Sequence, residues 1–123
     1  MTHEADTETE AKYSRYEKLD AYGLARRATQ FVAARRAKLR GLPGEAGPQL
    51  ERAVVGAQTN LASGASHFGA EGRRHFRIAL SEATEAGAAL DIALDFGAFD
   101  EAEYRALRAL LLRLAATLRG LAG

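Results

Sequence analysis

The chain has 123 residues, with 17 Lys and Arg against 16 Asp and Glu, a formal net charge of +1, no cysteine and no tryptophan. That length fits one domain, because two would each have a core too small to hold. The missing cysteines exclude disulfides, thiolate metal ligands and a cysteine nucleophile, and they permit a reducing cytoplasm, the expected location.

Residues 1–12 (MTHEADTETEAK) are polar and carry Glu4, Asp6, Glu8 and Glu10. They lack the apolar run of a signal peptide and have nothing to bury, so a disordered acidic tail is expected. Residues 13–123 are expected to form the folded domain. The first helix is expected over residues 16–40, with Leu19, Tyr22, Ala25, Ala28, Phe31 or Val32, and Leu39 on its inner stripe. Gly41-Leu42-Pro43-Gly44 then breaks it.

Pro48 suits the first position of a second helix, where its missing N–H would lack a partner anyway, and that helix should reach about Ser66. Its stripe is Leu50, Ala53, Val54, Ala57, Leu61 and Gly64, with Asn60 set among them. An amide on a packed face must be hydrogen-bonded or it costs about 1–3 kcal/mol. Asn60 is therefore expected to be buried, bonded to a helix backbone or to Glu85 across the bundle. His67-Phe68-Gly69 reads as a turn or kink. A third helix is expected over residues 70–96, facing inward with Phe76, Ala79 or Leu80, Ala83, Gly87, Leu90, and Ala93 or Leu94. Gly97 fits a left-handed C-terminal cap, and Asp100 with Glu103 fits a capping box for the fourth helix. That helix aligns Leu107, Leu111, Leu114, Leu118 and Leu121, and Leu110 and Leu112 widen the stripe enough to suggest a subunit contact. The most apolar stretch, residues 107–121, is interrupted by Arg108, Arg113 and Arg119, so no membrane span is expected. Four such helices with short connections predict an all-α, up-down-up-down antiparallel four-helix bundle.

Recognisable reaction chemistry is sparse. Glu71 and His75 are four apart rather than the three of a di-iron bundle motif, and no second pair exists. His67 lies nearby without a third ligand, so no metal and no cofactor are expected. Ser63, Ser66 and Ser81 cannot be tied to a histidine by spacing, and Glu82 with Glu85 reads as structural rather than as an acid–base pair. Cations do cluster: Arg35, Arg36, Lys38 and Arg40 end the first helix, and Arg73, Arg74 and Arg77 open the third. These seven are the candidate nucleic-acid-contacting residues. In an up-down bundle the two clusters belong to opposite ends. No aromatic array stands beside them, which disfavours recognition by base stacking.

The order Tyr16-Glu17-Lys18-Leu19-Asp20-Ala21-Tyr22, Leu50-Glu51-Arg52-Ala53, Asn60-Leu61-Ala62 with Gly64, Phe76-Arg77-Ile78-Ala79-Leu80, Glu85, and Leu90-Asp91-Ile92-Ala93 closing on Phe96-Gly97 carries a resemblance. It resembles the small bacterial four-helix bundle proteins first noticed as reading frames within 23S ribosomal RNA intervening sequences. A more distant likeness is to the accessory variability protein of diversity-generating retroelements. The resemblance spans roughly residues 16–119 and implies Arg52, Asn60, Gly64 and Glu85 as family structural positions. It also implies a homopentamer and, from the retroelement relative, a basic surface for nucleic acid. The chain departs from the pattern at Glu51, where an arginine is usual, and at Ser63, where a glutamate is usual. The reading that follows is a non-enzymatic, homo-oligomeric adaptor, most simply a pentamer, with RNA or DNA as a candidate ligand. The alternative is a scaffold that binds only protein.

Overall fold

A computed structural model describes residues 19–123, so the expected disorder of residues 1–12 and the first turn of the expected first helix lie outside the described residues. Helices α1 (Asp20–Ala34), α2 (Ala46–Ser66), α3 (Gly69–Asp95) and α4 (Glu101–Ala122) follow one another, with a 3₁₀ turn at Arg36–Leu39. The main packed pairs are α1–α2, α2–α3, α3–α4 and α4–α1, which places the helices in chain order around a square. One core cluster joins Val32, Leu50, Leu90, Phe99 and Leu107, and the other joins Leu24, Leu61, Phe76, Leu114 and Leu118. Successive helices pass between these clusters in opposite directions, giving the expected up-down-up-down bundle. Leu50, Leu61, Leu90, Leu107, Leu114 and Leu118 are fully buried, and each stabilises the fold by about 1.5–3 kcal/mol relative to exposure.

The first helix ends at Ala34, earlier than its unbroken periodicity suggested. Arg35 leaves helical geometry at φ −114° and ψ 17°, and the 3₁₀ turn seats Leu39 in the core against the first turn of α2. Gly47 permits that approach: a Cβ there would lie 2.6 Å from the Leu39 carbonyl oxygen. The second helix begins two residues before Pro48, at Ala46, behind Glu45 with φ 66°. Pro48 still sits in the first turn, where its missing N–H leaves no bond unmade.

The α3–α4 corner matches its sequence signals. Gly97 adopts φ 75°, its N–H bonds the Leu94 carbonyl at 3.0 Å, and the Ala98 N–H bonds that of Ala93 at 2.9 Å, forming a Schellman cap. Asp100 and Glu103 form the reciprocal capping box. Phe99, which belongs to no helical stripe, plugs the core beneath this corner and is 1% exposed.

Two inward assignments change, and one choice left open by the periodicity is decided. Ala86, not Gly87, is buried on α3, because the face turned toward α2 and α4 runs through Ala79, Ala83, Ala86, Leu90 and Ala93. Val32, not Phe31, is the core residue on α1; Phe31 is half-buried and packs edge-on to Phe99. Leu110 touches both core clusters and is therefore internal packing, which leaves Leu112, 52% exposed, as the outward leucine on α4. Among the described residues no helix is long and apolar enough to cross a membrane.

Candidate functional site

The two arginine clusters stand at opposite ends of the bundle and in different electrostatic settings. At the end of α1, the Arg35 Nε and Lys38 Nζ each lie 2.8 Å from Oε2 of Glu103, a residue of α4 whose side chain is only 11% exposed. Arg35 also stacks on Phe31, with its guanidinium carbon 3.6 Å from the ring centroid, a cation–π contact. Arg36 donates to Glu51 at 3.0 Å. Glu103 further accepts the Asp100 backbone N–H at 3.0 Å. The Lys38 ammonium, that N–H and the Arg35 guanidinium hold its carboxyl down at about 2. Three of the four cations proposed here from sequence are thus committed to acids on other elements. Arg40, exposed, has no ion pair among the described residues.

The start of α3 differs. Arg74 reaches only Glu71, one turn away, at 3.4 Å, and both groups are exposed. Arg73 and Arg77 are exposed and have no ion pair among the described residues. They are four residues apart and therefore share a helix face. Arg73 lies against Gly123, the residue that follows α4: a Cβ there would stand 3.2 Å from the Arg73 Cδ. Farther along the same α3–α4 seam a shallow groove of about 240 Å³ is floored by Ala83, Gly87 and Ala115 and edged by Leu112, Arg108 and Arg119. Arg77 precedes the groove residue Thr84 by seven positions and so lies on its face. Arg73, Arg77, Arg108 and Arg119 consequently follow one seam, ~27 Å long at ~1.5 Å per residue from the level of position 73 to that of position 91. None of the four has an acidic partner within ion-pair distance among the described residues. The one carboxylate lining the groove, Asp91, accepts the Tyr104 hydroxyl at 2.9 Å, and that bond raises the Tyr104 hydroxyl above its ordinary range. In the sequence Arg108 and Arg119 interrupt an apolar run; their spacing of eleven, three helical turns, is the signal there for a shared face.

The α2–α3 turn carries the remaining polar chemistry. Asn60 is half-buried rather than buried, and its cross-helix partner is His75, not Glu85, which is exposed. Its Nδ2 donates to the Gly56 carbonyl at 3.0 Å, so its Oδ1 accepts from His75 Nδ1 at 3.2 Å. The other ring nitrogen, Nε2, is 3.3 Å from Glu71 Oε1 and donates there when the imidazole is protonated. His67 stacks on His75 at a centroid distance of 5.3 Å and donates its Nδ1–H to the Ser63 carbonyl at 2.7 Å. Arg74, then His75 and His67, lower the Glu71 carboxyl. Gly64, buried, lets the Phe76 ring and the Gly72 backbone close against α2: a Cβ there would lie 2.6 Å from Phe76 Cε1 and 3.0 Å from the Gly72 oxygen. Arg52 is exposed and forms no ion pair among the described residues. Glu82 rests against Gly56, and burial together with the Glu85 charge raises its carboxyl. Among the described residues no three His, Asp or Glu side chains converge as metal ligands would.

No protein-family model matches the sequence and no curated protein matches it, so the chain is identified by its architecture, a four-helix all-α domain.

Proposed function

We propose that this bundle is a non-catalytic, self-associating adaptor that binds a polyanion, in the first place nucleic acid, along the α3–α4 seam. The supporting observation is the contrast in pairing. Arg73, Arg77, Arg108 and Arg119 follow one seam without acidic partners within ion-pair distance among the described residues, whereas the other cluster is tied to Glu103 and Glu51. This moves the site suggested by sequence away from Arg35, Arg36 and Lys38. Arginine contacts to phosphate carry no sequence information, so affinity should be largely independent of nucleotide sequence. Self-association, as a pentamer or otherwise, rests on the sequence resemblance; the outward Leu112 beside the seam is the apolar contact that α4 offers to it.

The test is a titration with duplex DNA and with structured RNA at about 50 and 200 mM salt, run beside Arg73→Gln/Arg77→Gln and Arg35→Gln/Arg36→Gln variants. Release of counterions from three or four phosphates should weaken binding about 50–150-fold between those salts. The first variant should lose most of the affinity and the second little. Absence of binding at low salt, or equal losses in both variants, would overturn the reading. A protein scaffold is then favoured by the cleft between α1 and α2, about 270 Å³, where Val32, Ala33, Val54 and the 48%-exposed Val55 form an apolar wall.

A further inference from the structure

We propose that the acidic N-terminal segment of this chain, residues 1–12, docks on the arginine end of the α3–α4 seam and competes there with the polyanion. The proposal rests on the binding face assigned above and adds its regulation.

The first argument is spacing. Glu4, Asp6, Glu8 and Glu10 recur at every second residue. An extended segment places such residues on one side, ~6.7 Å apart. Arg73 and Arg77, four residues apart on a helix, are ~6 Å apart along its axis. Successive carboxylates can therefore meet successive guanidiniums without distortion of either partner.

The second argument is location. Leu19, the first described residue, packs on the same core cluster as Phe76, Leu118 and Ala122. The chain thus enters the bundle at the end that carries Arg73, Arg77 and Arg119, and not at the end where Glu103 already neutralises Arg35 and Lys38. The seam lies across the bundle from α1, ~14 Å away for helices spaced ~10 Å apart in a square. The eight residues between the acidic run and Leu19 reach up to ~26 Å, which is enough. The third argument is charge. The seam arginines have no acidic partners among the described residues, and an attached ligand acts at a high effective concentration. The other charges at this end are Asp20, the Glu71–Arg74 pair, the two stacked histidines and the exposed Arg26, Arg27 and Arg113; Arg26 and Arg27, adjacent on α1, point to different sides of their helix, whereas Arg73 and Arg77 share a face that Arg119 adjoins.

Because the chain has no cysteine, a Thr7→Cys variant takes a single spin label. At about 50 mM salt the label should broaden the backbone amides of Arg73, Arg77 and Arg119 while leaving those of Leu39 and Phe99 sharp. The broadening should vanish at about 500 mM salt and in a Glu4→Gln, Asp6→Asn, Glu8→Gln, Glu10→Gln background. No selective broadening, a pattern centred on Arg26 and Arg27, or broadening that survives the four substitutions would overturn the proposal. So would broadening seen only between labelled and unlabelled copies, which would mean that the segment docks on a neighbour. Titration of duplex DNA onto the four-fold variant should show affinity raised about tenfold over the parent. If DNA does not bind at all, the adaptor reading fails while the spin-label experiment still decides the docking.

Discussion

The two ends of this bundle begin with similar sequence and finish with different electrostatics. Arg35-Arg36-Ala37-Lys38 and Arg73-Arg74-His75-Phe76-Arg77 are both dense in cations. The first lies within reach of Glu103 and Glu51, acids delivered by α4 and α2, and becomes a clasp that ties the 3₁₀ turn to the bundle. The second faces the end of α4, where Arg119 and the capping Gly123 lie, and among the described residues its arginines pair only with Glu71 one turn away. A cluster of arginines is thus a fastening or an outward field according to what the facing helix presents, and no local pattern separates the two.

The contrast can be broken most forcefully through the packing of the open end. Gly64→Ala drives a methyl group into the Phe76 ring and the Gly72 backbone and should lower stability by about 2–3 kcal/mol in urea unfolding. A loss under about 0.5 kcal/mol would mean that this end is loosely packed and cannot hold its arginines in register. Next comes the clasp. Glu103→Ala removes half of the capping box and the shared partner of Arg35 and Lys38, and should cost about 2 kcal/mol. Arg73→Ala with Arg77→Ala should stay within about 0.5 kcal/mol, as for solvent-exposed charges that lack a partner. Equal costs for the two changes would erase the distinction between fastening and field.

Acid titration sharpens the same point. The folded-state value of Glu103 is depressed to about 2 from its ordinary 4.5, so its contribution is complete above about pH 4.5 and is lost as pH falls toward 2. Unfolding measured across that window should show a fall in stability that Glu103→Gln flattens; an unchanged profile in the variant would remove the clasp from the account. The smallest effect concerns the open end's polar turn. Asn60→Ala strands His75 Nδ1 in a half-buried site and should cost about 1 kcal/mol in thermal or urea unfolding, against no change if water replaces the amide fully.

The fold was legible wherever the physics was local. Apolar spacing, Gly97 at the only φ that closes a Schellman cap, and Asp100 with Glu103 each act within a few residues, so the sequence by itself determined four helices, their alternating direction and the α3–α4 corner. It could not place the end of α1, because the Arg36–Leu39 turn follows from docking Leu39 on Gly47, a contact between separate elements. It could not find Phe99, whose burial depends on a corner rather than on a helical period. The candidate site was legible only as charge. Tertiary structure decided which cations stay free, because Arg35 meets Glu103 across 68 residues of chain while Arg77 meets no acid within ion-pair reach among the described residues. Asn60 follows the same rule: the sequence required a partner for a polar group on a packed helix, and only the packing of α2 on α3 made that partner His75. Helical periodicity is written along the chain, whereas the neighbour across a helix interface is set by the crossing of two helices and has no counterpart in linear order.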